Sequence, residues 1–419
     1  MHALWIIFKA GRTADAKAYS TNSRRTVFRL GGVCHVVPVL RQVGGAQRRG
    51  GQLGAQVQSQ LPGNRQSAQA VPDTLDFYRW LEWIAAEQLS SAQQAAKDAG
   101  MHIGIMSDMA VGVHPSGADV WWNPERFAKG ATVGAPPDMF NQQGQNWSQP
   151  PLSPINLETT GYEAYRNMVH GMFARAGAVR IDHILGLFRL WWIPENRSAM
   201  DGAYVYYDSD IMLGVLAIEA SRAGGVVVGE DLGVVPDHVA DSLSSHGILG
   251  CAVEWFEQCD GVFRAPSQWR PYALASVNTH DLPPAAGYLE YEHVKIRERL
   301  GLLTGPAEEF EASAKAEQDA MLAMLVEQGY LDADFAEHRE DHEADIVDAL
   351  YRALKGSPCK LLAASITTRW GEACAEPAGH QQRIPELAHP TGRRQGQRVP
   401  LETLFDTPGA QRFAQIFNS

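Results

Sequence analysis

The clearest apolar periodicity lies at Thr74 to Ala99, where Phe77, Trp80, Leu81 and Ile84 fall on one face at helical spacing. Thr74 or Asp76 is the expected start cap and Gly100 the stop. Met101-His-Ile-Gly-Ile-Met106 then reads as a buried strand running into Ser107-Asp108. Glycines and prolines dominate from there to Pro154, so residues 108–154 are expected to form a long loop, rich in Trp, Asn and Gln, of the kind that carries function. A rhythm follows. A helix at Tyr162 to Ala176 leads to the strand Ala178-Val-Arg-Ile181, and a helix around Ile211 to Arg222 leads to Val226-Val-Val-Gly229. A short helix after Pro236 leads to Ala252-Val-Glu-Trp255, and further strands fit Leu274 to Val277 and Leu361 to Ile366, with a largely helical excursion from Glu308 to Leu354 between them. Short β-rich runs alternating with helices predict an α/β fold with a parallel sheet covered by helices.

Several of these strands end in ionisable residues: Asp108, Asp182-His183, Glu230-Asp231 and His280-Asp281. Polar groups collected at the carboxyl ends of different strands are what an active site at the top of a (β/α)8 TIM barrel requires. The pattern yields six candidate strands where a closed barrel uses eight, so the expectation is an incomplete barrel. Two segments break the rhythm. Ser23 to Ala70 passes from an apolar burst into a Gly/Gln/Arg-rich tract, and Ala375 to Arg398 is aperiodic, and both read as disordered on composition. The domain expectation is therefore a divergent segment 1–70, a catalytic region 71–370 and a divergent segment 371–419.

Composition narrows the chemistry. The chain carries 36 basic against 48 acidic residues, a net charge of -12, which offers no positive field for a phosphate backbone and argues against nucleic acid. Its five cysteines contain no C-x-x-C pair and read as free thiols of a reducing compartment. The apolar patch at the start, MHALWIIFKAGRTADAK, is too short to span a bilayer and lacks a cleavage site, so a cytoplasmic protein without a membrane partner is expected. Eleven tryptophans and twelve tyrosines fill cores first, yet their flat faces also match the apolar faces of sugar rings.

Asp182 follows an apolar strand, and Arg180, two residues earlier, shares its side because strand side chains alternate. An arginine there keeps the carboxylate ionised and suits a nucleophile, or else forms a structural ion pair. Gly229 removes a side chain beside Glu230; of Glu230 and Asp231, one could act in a cleft while the other secures the loop. His280-Asp281 sits where a strand ends and the rigid Leu282-Pro-Pro284 begins. Three strand-end acids suit retaining glycosyl transfer, which uses one ionised carboxylate as nucleophile and one protonated carboxyl as acid. The third acid could raise the pKa of the acid/base or hold sugar hydroxyls, and His183 and His280 suit donation to hydroxyls better than metal ligation. No metal or cofactor is expected: H-E-x-x-H, a phosphate-binding glycine loop and G-x-S-x-G are all missing from the sequence.

Five ordered stretches resemble the 4-α-glucanotransferases, the amylomaltase or disproportionating-enzyme family within the α-amylase superfamily. They are Phe77 to Gln88, Gly134 to Trp147, Val179-Arg-Ile-Asp-His-Ile-Leu-Gly-Leu-Phe-Arg-Leu-Trp-Trp-Ile-Pro194, Gly229-Glu-Asp-Leu-Gly-Val-Val-Pro236 and Thr279-His-Asp-Leu-Pro283. The resemblance implies that Asp182 is the nucleophile, Glu230 the general acid and then base, and Asp281 the transition-state stabiliser. It also implies substrate contacts from Arg180, His280, Asp138 and Trp147, although Trp147 suits a loop-anchoring role as well. The implied reaction is cleavage of an α-1,4-glucan or maltooligosaccharide and transfer of the piece to the 4-hydroxyl of another glucan or of glucose, without cofactor. A retaining α-glucan hydrolase and an inactive glucan-binding remnant are the alternatives.

The chain departs from the family at both ends. It begins at the Met1-His-Ala-Leu-Trp5 element, upstream of which the family carries its first barrel strands. Where the family has I-P-G-T and P-N-W-R, this chain reads Ile384-Pro-Glu-Leu387 and His389-Pro-Thr-Gly-Arg393. Frameshifts within residues 23–70 and 375–398, or genuine divergence there, are the two expectations that fit the abrupt changes.

Overall fold

The computed structural model describes residues 72–137, 143–301, 303–365, 403 and 405–418; the expectations for residues 1–70 and 375–398, and for Asp138, lie outside them. The chain divides into two compact units at the Glu230–Asp231 peptide.

The first unit opens with helix α1 (Pro72–Asp98), which starts before Thr74 and Asp76, so neither is its cap. Its apolar face gathers as predicted: Phe77 and Trp80 are buried and Leu81 and Ile84 pack against them. In chain order there follow β1 (Met106–Met109), the short helix α2 (Ala118–Trp122), β2 (Ala131–Ala135), β3 (Gln145–Gln149), α3 (Pro154–Thr159), α4 (Glu163–Phe173), β4 (Ala178–Ile181), β5 (Arg189–Pro194), β6 (Ala203–Tyr206), α5 (Ser209–Ala223) and β7 (Val226–Gly229). The first strand sits further along than expected, with Ser107 and Asp108 inside it. Strands β1, β4 and β7 form a parallel sheet in that order. Val179, Ile181, Val227 and Val228 are buried in it, and Tyr165, Val169 and Phe173 of α4 and Met212, Leu213 and Leu216 of α5 are buried with them. Each fully buried side chain of this size stabilises the unit by about 1.5–3 kcal/mol.

The stretch expected to be a loop instead contains β2 and β3, which join β5 and β6 in an antiparallel sheet ordered β3-β2-β5-β6. Trp191 of β5 donates to Ala199 O at 2.8 Å and meets Tyr204 of β6 edge-on at 4.9 Å, while the Arg189 guanidinium lies 4.0 Å from the Tyr204 ring centroid.

The second unit contains α6 (His238–Ser245), β8 (Gly250–Val253), β9 (Gln258–Cys259), β10 (Val262–Phe263), β11 (Ala273–Ser276), α7 (Ala285–Leu289), α8 (Glu292–Arg299), α9 (Ala307–Glu327), α10 (Ala333–Glu337), α11 (Glu343–Lys355), β12 (Leu361–Ala363) and α12 (Pro408–Asn418). Its parallel sheet is ordered β12-β11-β8, and β9 and β10 form a small hairpin. Ile346, Val347, Leu350, Tyr351 and Leu354 of α11 are buried against Met321, Leu322 and Leu325 of α9, and Tyr351 meets Phe413 of α12 edge-on at 4.5 Å.

Five of the six strands expected from the apolar runs are therefore present and parallel, and the sixth is replaced by Met106–Met109, which shares only Met106 with the expected run; the expected (β/α)8 barrel is not formed. Among the described residues the parallel strands form two open sheets of three, and no sheet closes on itself. Closure requires the first and last strands to pair at a matched stagger. Here β1 and β7 are the edges of one ladder and β12 and β8 the edges of the other.

Glu254, at the end of β8, is fully buried, and neither carboxyl oxygen has a hydrogen-bond partner among the described residues. Burial holds its pKa well above the ordinary value near 4.5, so the folded unit keeps the neutral acid while the unfolded chain ionises. A raised folded value means stability that is fully present below about pH 4.5 and falls as pH rises toward the folded value. Glu254→Gln, which cannot titrate, is expected to unfold at a higher temperature than the parent at pH 7 and at a similar one near pH 4.5. Parallel unfolding curves across that range would show that Glu254 does not titrate in the fold.

Candidate active site

The ladder β1-β4-β7 brings three carboxylates to one end. Register places Asp108 beside Arg180, and Ile181 beside Gly229. Backbone pairing continues one step beyond the strands, with Asp182 N donating to Met109 O and Glu230 N to Ile181 O, each at 2.9 Å. Asp182 and Glu230 thus stand opposite each other, one residue beyond the ends of neighbouring parallel strands. Arg180, whose side chain is only 14% exposed, donates through Nη1 to Asp108 Oδ1 at 2.8 Å, Asp108 Oδ2 at 2.9 Å and Asp182 Oδ1 at 3.1 Å. Two carboxylates thus share one guanidinium, in charge-assisted hydrogen bonds.

Glu230 is oriented by backbone. His183 N donates to Glu230 Oε2 at 2.9 Å and Ile184 N to Glu230 O at 2.8 Å. His183 reaches this position by adopting a left-handed backbone, φ 48°, which turns the chain sharply after Asp182. Gly229 makes room for the turn: a Cβ there would stand 2.7 Å from Ile184 Cγ1. Burial, with the charge of Arg189 beside it, pushes the His183 imidazole down to about 4, so the ring is neutral at physiological pH. Trp147 from β3 meets this ring edge-on at 5.3 Å and donates its indole N–H to Gln145 Oε1 at 3.1 Å.

Asp231, next to Glu230, does the other job that the sequence left open. Buried in the second unit, it accepts from Arg270 Nη1 and Nη2, both at 2.6 Å, and from Cys251 N at 2.8 Å. Gly250 admits the guanidinium, since a Cβ there would lie 2.5 Å from Arg270 Nη2. His280 and Asp281 also belong to the second unit, in the exposed turn after β11; His280 Nε2 lies 3.4 Å from Asp281 Oδ2, and Asp281 N donates to Thr279 Oγ1 at 3.3 Å. Asn278 fastens the turn by donating to Pro283 O at 3.2 Å.

Of the residues singled out in the sequence, the first unit brings together Arg180, Asp182, Glu230 and Trp147. The reading missed the part played by Asp108. It is one of the strand-end acids, but its contact with Arg180 depends on the register between two strands. Among the described residues no group of three His, Cys, Asp or Glu side chains is placed to hold a metal ion, and no helix is long and apolar enough to cross a membrane.

Comparison with known proteins agrees with the motif reading. The profile of a family described as 4-alpha-glucanotransferase matches residues 55–376. A 4-alpha-glucanotransferase of Mycobacterium bovis is 47% identical over 349 residues, covering 82% of this chain and 48% of the relative. One from Haemophilus influenzae is 40% identical over 233 residues, covering 56% of this chain and 33% of the relative. The chain thus spans about half the length, or less, of these curated relatives. Among solved structures, amylomaltase from Corynebacterium glutamicum superposes with a TM-score of 0.85 at 35% identity, over 99% of this chain and 58% of that one. An amylomaltase from Streptococcus agalactiae, solved with acarbose, superposes at 0.70 with 15% identity over 97% of this chain and 74% of that one, a likeness of fold alone.

Proposed function

The chain belongs to the 4-alpha-glucanotransferase family, and from that premise we propose that it transfers a segment of an α-1,4-glucan to the 4-hydroxyl of another glucan or of glucose by retaining double displacement. The observation that carries this reading is the pairing of an arginine-held carboxylate, Asp182, with a backbone-oriented carboxyl, Glu230, opposite each other at the ends of neighbouring parallel strands. Asp182 attacks the anomeric carbon, and the leaving glucan oxygen takes its proton from Glu230. The N–H on Glu230 Oε2 supports that oxygen as an acceptor, and in this reading Oε1 carries the proton. In the second half the Glu230 carboxylate removes the proton of the acceptor 4-hydroxyl, which displaces Asp182 from the sugar. Arg180 and Asp108 act on Asp182 as positioning residues, through the shared Nη1. The stabilising role of Asp281 and the substrate contacts of His280, Asp138 and Trp147 rest on their motifs. The reading places catalysis within residues 71–370 and, with Cys259 and Cys359 as free thiols, in the cytoplasm.

Maltotriose tests the reading. Glucose together with longer maltodextrins is the expected product set; reducing ends without elongation would mean a hydrolase, and no change in chain length an inactive glucan-binding protein. Glu230→Gln is expected to suppress this turnover while an activated glucosyl donor, whose leaving group needs no acid, still forms the intermediate in a burst. A burst from Asp182→Asn but not from Glu230→Gln would reverse the two roles.

A further inference from the structure

Helix α2 buries none of its residues, yet it carries two tryptophans in succession. Trp122 is 45% exposed and Trp121 half-buried, with ring centroids 6.2 Å apart and planes inclined by 43°. Core packing therefore does not account for this pair, and large exposed aromatic surface on a soluble unit commonly marks a binding surface.

The segment bearing the pair is anchored on both sides. Trp121 N and Asn123 N close the helix onto Gly117 O and Asp119 O, each at 3.1 Å, and a proline-led turn at Pro124–Arg126 follows. Ser153 N donates to Arg126 O at 2.8 Å and Ala128 N to Pro151 O at 2.9 Å, tying the segment to the chain before α3. The indoles are thus held on fixed backbone, in the connection that leaves the carboxyl end of β1, the strand bearing Asp108.

We propose that Trp121 and Trp122 form a platform on which a long α-1,4-glucan chain stacks, built from residues other than those of the acidic cluster. Glucose rings present apolar C–H faces that stack on indoles, and successive rings of an α-1,4 chain turn relative to one another. Two inclined aromatic faces match such a turning chain better than one plane would. Asp119 and Asn123 flank the pair in sequence and offer acceptors and a donor to the hydroxyls at the ring edges. The inference rests on α-glucan as the substrate class proposed above.

Retention of the whole chain in native gels containing amylose tests the platform, alongside maltotriose turnover. Trp122→Ala is expected to weaken retention about five- to tenfold, Trp122→Phe much less, and maltotriose turnover to stay within about twofold for both. No retention of the parent, or equal retention of a Trp121→Ala/Trp122→Ala double variant, overturns the platform. Tryptophan-dependent retention in a chain that leaves maltotriose unchanged would keep the platform and remove the transfer reading. Should Trp122→Ala fail to fold, protection of Trp122 in the parent from N-bromosuccinimide by maltoheptaose decides the matter: protection supports the platform, and unchanged oxidation overturns it.

Discussion

Replacing Asp182 with Asn is expected to reduce maltotriose disproportionation by more than about a hundredfold while leaving thermal unfolding close to that of the parent. The two expectations have separate causes. Asn matches Asp in size, its amide oxygen can still accept from Arg180 Nη1, and the site is 37% exposed, so the substitution buries no unpaired amide. An amide oxygen, however, is a poor nucleophile at the anomeric carbon, and loss of covalent catalysis removes a whole route to the product. Arg180 would retain Asp108 as a full ionic partner, which limits the structural damage. A variant keeping more than about one per cent of the parent rate would remove the nucleophile assignment. If activity and unfolding temperature fell together, the residue would instead hold the ladder end in place.

The largest stability effect is expected at Arg270→Ala. Asp231 is 1% exposed in its side chain and takes both guanidinium nitrogens at 2.6 Å, so truncating Arg270 leaves a buried carboxylate with its cation gone. Breaking one half of such a pair costs about 3–5 kcal/mol. Arg270 keeps 34% exposure, so partial solvation of the space it vacates favours the lower end, about 3 kcal/mol. Denaturant unfolding of the second unit measures this directly; a change below about 1 kcal/mol would place the pair among surface bridges. Arg270→Ala together with Asp231→Leu should recover part of the loss, because it removes the stranded charge along with its partner.

These residues also show how far local pattern carries. Five of the six parallel strands were legible because each is a short apolar run that stands alone, whereas β1, Met106-Ser-Asp-Met109, lies almost wholly beyond the apolar run that announced it. The antiparallel sheet was not: Gln145-Asn-Trp-Ser-Gln149 is a strand made largely of amides, and Ala131-Thr-Val-Gly-Ala135 sits among glycines and prolines that read as loop. Barrel closure escaped because pairing of edge strands is no property of any one segment. At the site, Arg180 beside Asp182 followed from alternation within one strand. Asp108 beside Arg180 needed the register of two. The choice between Glu230 and Asp231 could be framed from their adjacency, but it took Arg270, 39 residues away, to show which of them secures the fold. Glu254 gives the opposite lesson: it too stands at a strand end, and only its burial removes it from the set of exposed acids.

The low basicity of His183 has a consequence for kinetics. With a value of about 4, the imidazole keeps one N–H and one lone pair unchanged above about pH 5. It is then a silent member of the site in any pH–rate profile recorded near neutrality. A limb with an apparent value near 6.5, which an enzymologist would assign to histidine by habit, then belongs to a group other than His183.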